Sequence, residues 1–138
     1  TKAEYTTDNS VTWGVIIGNI SGNVKYDVAR NKWGGTWRLP SKEELIELAE
    51  ECKWEVVTQN GVKGYKVTGP NSNKLFLPFA GYRYGENLYN EENFGYLWCS
   101  NPYENNKDYS YSIEFNNNER KVLWDNRYDG QSVRPVTK

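Results

Sequence analysis

The side chains that carry most protein chemistry are sparse in this chain. It has no histidine, which removes the usual general base and the commonest metal ligand. Serine-triad and zinc-hydrolase mechanisms therefore lose their central residue. Cys52 and Cys99 are the only two cysteines. They are too few for a four-thiolate metal site, and one disulfide or two buried thiols both remain open. Glu104 and Asp108, four positions apart, are an acid–base pair in reach of each other, yet nothing in the sequence marks either for that work. No loop carries the spaced acidic ligands of an EF-hand. Gly85 and Gly95 bound a loop without the Gly-Lys-Ser/Thr of a phosphate cradle. Arg38, Arg127 and Arg134 are read as loop fasteners, pairing with carboxylates or carbonyls. The expectation is a protein that binds and does not catalyse, with no metal and no cofactor.

A length of 138 residues suits one domain, 1–138, of which 1–10 is polar and reads as loose or linker-like. That is enough chain for a core independent of disulfides or metal. The net charge is -1, and six Trp, eleven Tyr and four Phe bring the aromatic share to 15%. The core is therefore expected to be aromatic, with many Tyr and Asn left at the surface. A phosphate-backbone binder needs a basic patch or stripe, and none is present. Nucleic acid and anionic membrane are not expected partners. No run of about 20 apolar residues exists to span a bilayer. No signal peptide is visible, and the polar start at Thr1 reads as a trimmed mature domain or a piece of a longer protein.

The elements that must position any site follow from periodicity and turn chemistry. Val11–Ile17 reads as a strand. Tyr26–Trp33 suits a short helix ended by Gly34-Gly35. Ser41 with Glu44 three positions on is a capping box, and Leu45, Leu48, Ala49 and Cys52 then form one apolar face. This predicts a helix over 41–52. Trp54–Thr58 and Gly64–Thr68 are strands around a hairpin turn at Asn60-Gly61. Lys74–Pro78 and Tyr96–Ser100 follow, separated by a long polar loop over 82–95. Ser110–Phe115 alternates as a half-buried strand, and Val122–Trp124 and Ser132–Val136 close the chain. Two early helices followed by short strands give the α+β class. Trp13, Trp33, Trp37, Trp54 and Trp98 are expected to pack in the core.

Several ordered stretches are similar to a bacterial family known from gut Bacteroidetes and fibre degraders, the major paralogous domain of Fibrobacter succinogenes. They are Tyr26-Asp27-Val28-Ala29, Trp33-Gly34-Gly35-Thr36-Trp37-Arg38-Leu39-Pro40-Ser41-Lys42-Glu43-Glu44, the run 60–71, and Phe76-Leu77-Pro78-Phe79-Ala80-Gly81-Tyr82-Arg83. Gly95-Tyr96-Leu97-Trp98-Cys99-Ser100, Arg127, Gly130 and Ser132-Val133-Arg134-Pro135-Val136 complete the match, over residues 12–136. The resemblance implies a C-type lectin-like fold of the formylglycine-generating-enzyme type: two helices flanking a small twisted antiparallel sheet, with long loops. It also implies an extracellular or cell-surface location. Cys99 stands where the family usually has serine, so a Cys52–Cys99 bridge is conceivable without being implied. The oxidase chemistry of formylglycine-generating enzymes uses a close pair of cysteines, and these two are far apart in sequence. Trp124-Asp125-Asn126 reverses the calcium-binding Trp-Asn-Asp of sugar-binding C-type lectins and lacks a Glu-Pro-Asn or Gln-Pro-Asp partner.

Residues 96–132 have a distinct composition: 19 of these 37 positions are Tyr, Asn, Asp or Ser. That is paratope-like chemistry, with Tyr giving broad amphipathic contact and Asn and Ser giving adaptable hydrogen bonds. The expected ligand-binding residues are Asn101, Tyr103, Asn105, Asn106, Asp108, Tyr109, Ser112, Glu114, Asn116, Trp124, Asp125, Tyr128 and Asp129. The pattern also resembles the variable proteins of diversity-generating retroelements. There, mutagenesis of asparagine codons yields Asn, Asp, Tyr and Ser at chosen sites near the C-terminus. The function this implies is a display domain on a surface adhesin, pilus tip, lipoprotein or virion. It would bind a protein or glycan ligand, with a pilus or adhesin chain as parent. A structural or carbohydrate-associated accessory domain is the alternative, in which the Asn-rich loops merely cap the sheet.

Overall fold

A computed structural model describes residues 18–137, so the strand expected at 11–17, and Trp13 with it, lies outside the described residues. Among these, the fold has two helices, α1 (Val28–Trp33) and α2 (Lys42–Glu51), followed by eight strands. The first three, β1 (Lys53–Gln59), β2 (Val62–Thr68) and β3 (Lys74–Pro78), form one antiparallel sheet in the order β1-β2-β3. A small ribbon pairs β4 (Tyr82–Tyr84) with β5 (Asn87–Tyr89), and the last sheet has the order β6 (Phe94–Pro102), β7 (Tyr109–Asn116), β8 (Arg120–Asn126). The class is α+β with mainly antiparallel sheets. The single small sheet of the expectation is replaced by three.

Local chemistry accounts for the elements. Both halves of the capping box are made: Ser41 Oγ accepts from Glu44 N at 3.2 Å, and Glu44 Oε2 accepts from Ser41 N at 2.7 Å. The same carboxylate takes a bidentate grip from Arg38, 2.7 Å on each oxygen. Asn60 and Gly61 have φ of 51° and 80°, the left-handed pair a two-residue hairpin requires. The segment 82–95, read as a loop, instead turns at Gly85 and closes the β4–β5 ribbon. Its strands are three residues each, too short for apolar alternation to announce them.

The core lies between the first and last sheets, under α2. Phe115 and Tyr65 are its centre, with Trp54 and Phe79 ringing them at centroid distances of 5.1–6.0 Å. Leu45 of α2, Leu77, Leu97 and Ile113 fill the rest. Trp54 joins the core and donates its Nε1–H to Leu48 O at 2.9 Å. Trp33 and Trp37 do not: both are exposed, Trp33 at 55%. α1 has only six residues and buries Ala29 alone, so it offers no covered face for an indole at its end. The C-terminal segment crosses back over the molecule. Ser132 bridges Leu97 in parallel, and Val136 bridges Arg38 in antiparallel fashion.

Candidate functional site

One end of the last sheet gathers much of the expected binding set. β7 starts at Tyr109 directly opposite Asn126, the last residue of β8. The connection 103–108 and the segment after β8 therefore share that end. Arg127 fastens them: its backbone N–H donates to Asp108 O at 3.0 Å and Nη1 donates to Lys107 O at 2.5 Å. Inside the connection, Asn106 Oδ1 accepts from Asp108 N at 2.9 Å, and Tyr103 N donates to Tyr109 O at 3.1 Å. The backbone is thus tied down while the side chains of Asn105 and Asn106 face solvent. Tyr103 stacks flat on Trp124, centroids 4.6 Å apart at 9°, and meets Tyr111 edge-on at 5.5 Å. Lys42 Nζ sits 3.8 Å over the Tyr111 ring, whose hydroxyl donates to Glu104 Oε1 at 3.0 Å. A loop held by its own amides, with a rigid aromatic floor, presents a fixed set of donors and acceptors.

Three expected residues stand elsewhere. Asn101 Oδ1 accepts from Lys42 N at 3.0 Å and so serves the start of α2. Ser112 is wholly buried and donates to Asp125 Oδ2 at 2.6 Å, so it has no surface to offer. It faces away from the aromatic core, but the returning C-terminal segment covers that side too. Asn116 sits at the far end of β7, about 24 Å away at the usual rise per residue. Its Oδ1 accepts from Asn118 N and Glu119 N, shaping the β7–β8 turn.

Glu114, Asp125 and Asp129 meet in a second place, a recess of about 270 Å³ shared with Tyr82, Tyr96, Asn90, Asn126 and Gln131. Composition did not point to Tyr82 or Asn90, because the bond that carries their ribbon there, Arg83 with Gly130, is non-local. Tyr84, against Tyr128 at 5.6 Å, extends the same surface. Among the described residues no Lys or Arg lines the recess. Burial, then the Asp125 carboxylate, pushes Asp129 up to about 6. Burial and Asp125 also raise Glu114, and burial raises Tyr96 to about 12. A carboxyl whose folded pKa is raised stabilises the fold at low pH and loses that contribution as pH rises through the folded value. Asp129→Asn should therefore match the parent near pH 4 and exceed it by about 1 kcal/mol at pH 7.5, after discounting for its partial exposure. Urea melts across pH 4–8 check this; an equal gap at every pH would refute it.

The two cysteines are free thiols. Burial raises both, Cys99 to about 11, the wrong direction for a nucleophile. Among the described residues no group of three His, Cys, Asp or Glu is placed to hold a metal ion, and no helix is long and apolar enough to cross a membrane. No family model, curated protein or solved structure matches this chain.

Proposed function

We propose that this protein is a ligand-binding display domain that takes a protein or glycan ligand at the loop end of its last sheet. The contact residues are Tyr103, Asn105, Asn106, the exposed Lys107, Asp108 and Tyr109, with Tyr128 beside them and Asp129 in the adjoining recess. The observation that carries the reading is the Arg127 clamp, which holds an otherwise polar, solvent-facing loop in one conformation. Loops that only close a sheet have no need of such fixing, whereas a binding loop gains affinity from it. We further read the fold as C-type lectin-like, a reading supported by the two leading helices and by the return of Val136 to Arg38. In this proposal the domain is the diversified part of a surface adhesin, and it is not an enzyme.

Asn105→Ala with Lys107→Ala tests the site, since both side chains are exposed. Ligands are first taken from a glycan array and a panel of purified extracellular proteins. The double variant should bind any such ligand at least tenfold more weakly, with a melting temperature within about 1 °C of the parent. Undiminished binding removes the loop from the site. Absence of any ligand on both panels favours the accessory-domain alternative.

A further inference from the structure

Among the described residues the outer edge of β8 is unpaired: β8 is last in its sheet, and none of them bonds to its far side. Backbone groups alternate sides along a strand. Asn116 N donates to Glu119 O and Arg127 N donates to Asp108 O, so odd-numbered residues point their amides toward β7. Arg120, Val122 and Trp124 therefore present theirs outward. An exposed edge with an apolar centre is a template for another strand unless something blunts it. Here the centre is Val122-Leu123-Trp124, and Trp124 is 47% exposed.

We propose that the edge of β8 pairs with β8 of a second copy of this chain, antiparallel about a two-fold axis at Leu123. The strand is complementary to itself in that register. Lys121, which also pairs with Glu119 of its own chain at 2.6 Å, falls opposite Asp125 of the second copy, whose Oδ2 is held by Ser112 and Gln131; Val122 falls opposite its Trp124, and Leu123 opposite its Leu123. The hydrogen-bond parity agrees. Val122 and Trp124, whose amides point outward, become bonded pairs, and Leu123 becomes the non-bonded centre where side chains approach most closely. A groove between α2 and β8 lies beside Val122, with Ile46 and Ala49 on its α2 wall among the charged side chains of Lys42, Glu50 and Arg120. Val122 and Trp124 lie on the α2 side of the sheet, as their register partners Ile113 and Tyr111 show. Trp124 of the second copy is thus delivered to that groove. The symmetry is closed and isologous, so association stops at two. The loop ends then face opposite directions, with Trp124 of each copy stacked on its own Tyr103 at one side and lying in the seam at the other; the pairing rests on the strand edge and not on the function proposed above.

The test is the mass in solution by light scattering, from about 1 to 500 µM, with amide exchange at Val122 and Trp124 followed over the same range. A dimer is expected, with both amides protected as it forms. Leu123 faces Ser112 within its own sheet, and Leu123→Lys and Leu123→Glu each set two like charges opposite each other across the two-fold axis. Each should weaken the dimer at least tenfold while melting temperature and capture of a loop ligand are kept. A monomer throughout the range overturns the proposal, as does a dimer that both variants leave intact. Protection of those amides only on adding a ligand assigns the edge to that ligand and also overturns it.

Discussion

Asp27→Ala should cost about 4 kcal/mol and lower the melting temperature by roughly 12 °C. Asp27 is completely buried, and its two oxygens accept four backbone N–H groups. Oδ1 takes Ala29 N at 2.9 Å and Arg30 N at 3.2 Å, which caps α1. Oδ2 takes Gly22 N at 2.8 Å and Leu39 N at 2.9 Å. The side chain thus pins the turn before α1 and the strand-like approach to α2 to one point. Removing it leaves the amides of Ala29 and Leu39 inside the protein without partners, and each such orphan costs roughly 1–3 kcal/mol. The lost cap adds about 1 kcal/mol. Asp27→Asn keeps the shape but turns one acceptor into a donor, so it should fall between the parent and alanine. Urea denaturation of the three proteins decides the matter, and a loss under 1 kcal/mol for alanine would show that water replaces the carboxylate.

Gly95→Ala is expected to cost about 3 kcal/mol. Gly95 lies directly across from Phe115 in the β6–β7 ladder, and the Phe115 ring folds over it. A methyl group there would collide with ring carbons Cε2 and Cζ and would stand 2.8 Å from Pro78 O. The ring cannot move without leaving Trp54, Tyr65 and Phe79, all within 6.0 Å by centroid. Phe115→Leu shortens the obstacle. In a double-mutant cycle the pair should be at least 1 kcal/mol less damaging than the sum of the two single changes. Simple additivity would mean that the clash is relieved elsewhere.

What the sequence disclosed, and what it hid, divides by distance along the chain. The capping box at Ser41 and Glu44 and the turn at Asn60-Gly61 are chemistry between near neighbours, and they appear as read. The Arg38 reading also holds, because its partner Glu44 is six residues away. The β4–β5 ribbon is itself a local hairpin, but strands of three residues are too short for alternation to show, and its place beside the last sheet rests on the distant pairing of Arg83 with Gly130. Ser112 looked like a surface residue because it alternates with Tyr111 and Ile113. Alternation shows which residues share a face, but not that residues near Ser132 will cover the second face as well. The binding set was read as one continuous stretch. A strand of eight residues separates its members by its own length, so Asn116 is carried away from Tyr109 while Tyr128 is brought near.

The bond pair between Arg38 and Val136 also sets a schedule for synthesis. Residues 98 positions apart must meet before the C-terminal segment can lie across β6. At about 5–20 residues per second, the approach to α2 waits roughly 5–20 s on the ribosome for its partner. Asp125 is made only 11 residues before Val136, so the side of the sheet bearing Ser112 and Asp125 stands bare for only about 0.5–2 s of that wait. That side carries Tyr96, Trp98 and Leu123 beside Ser112, Glu114 and Asp125, so a partly apolar face waits for its cover, but only for the last step of synthesis.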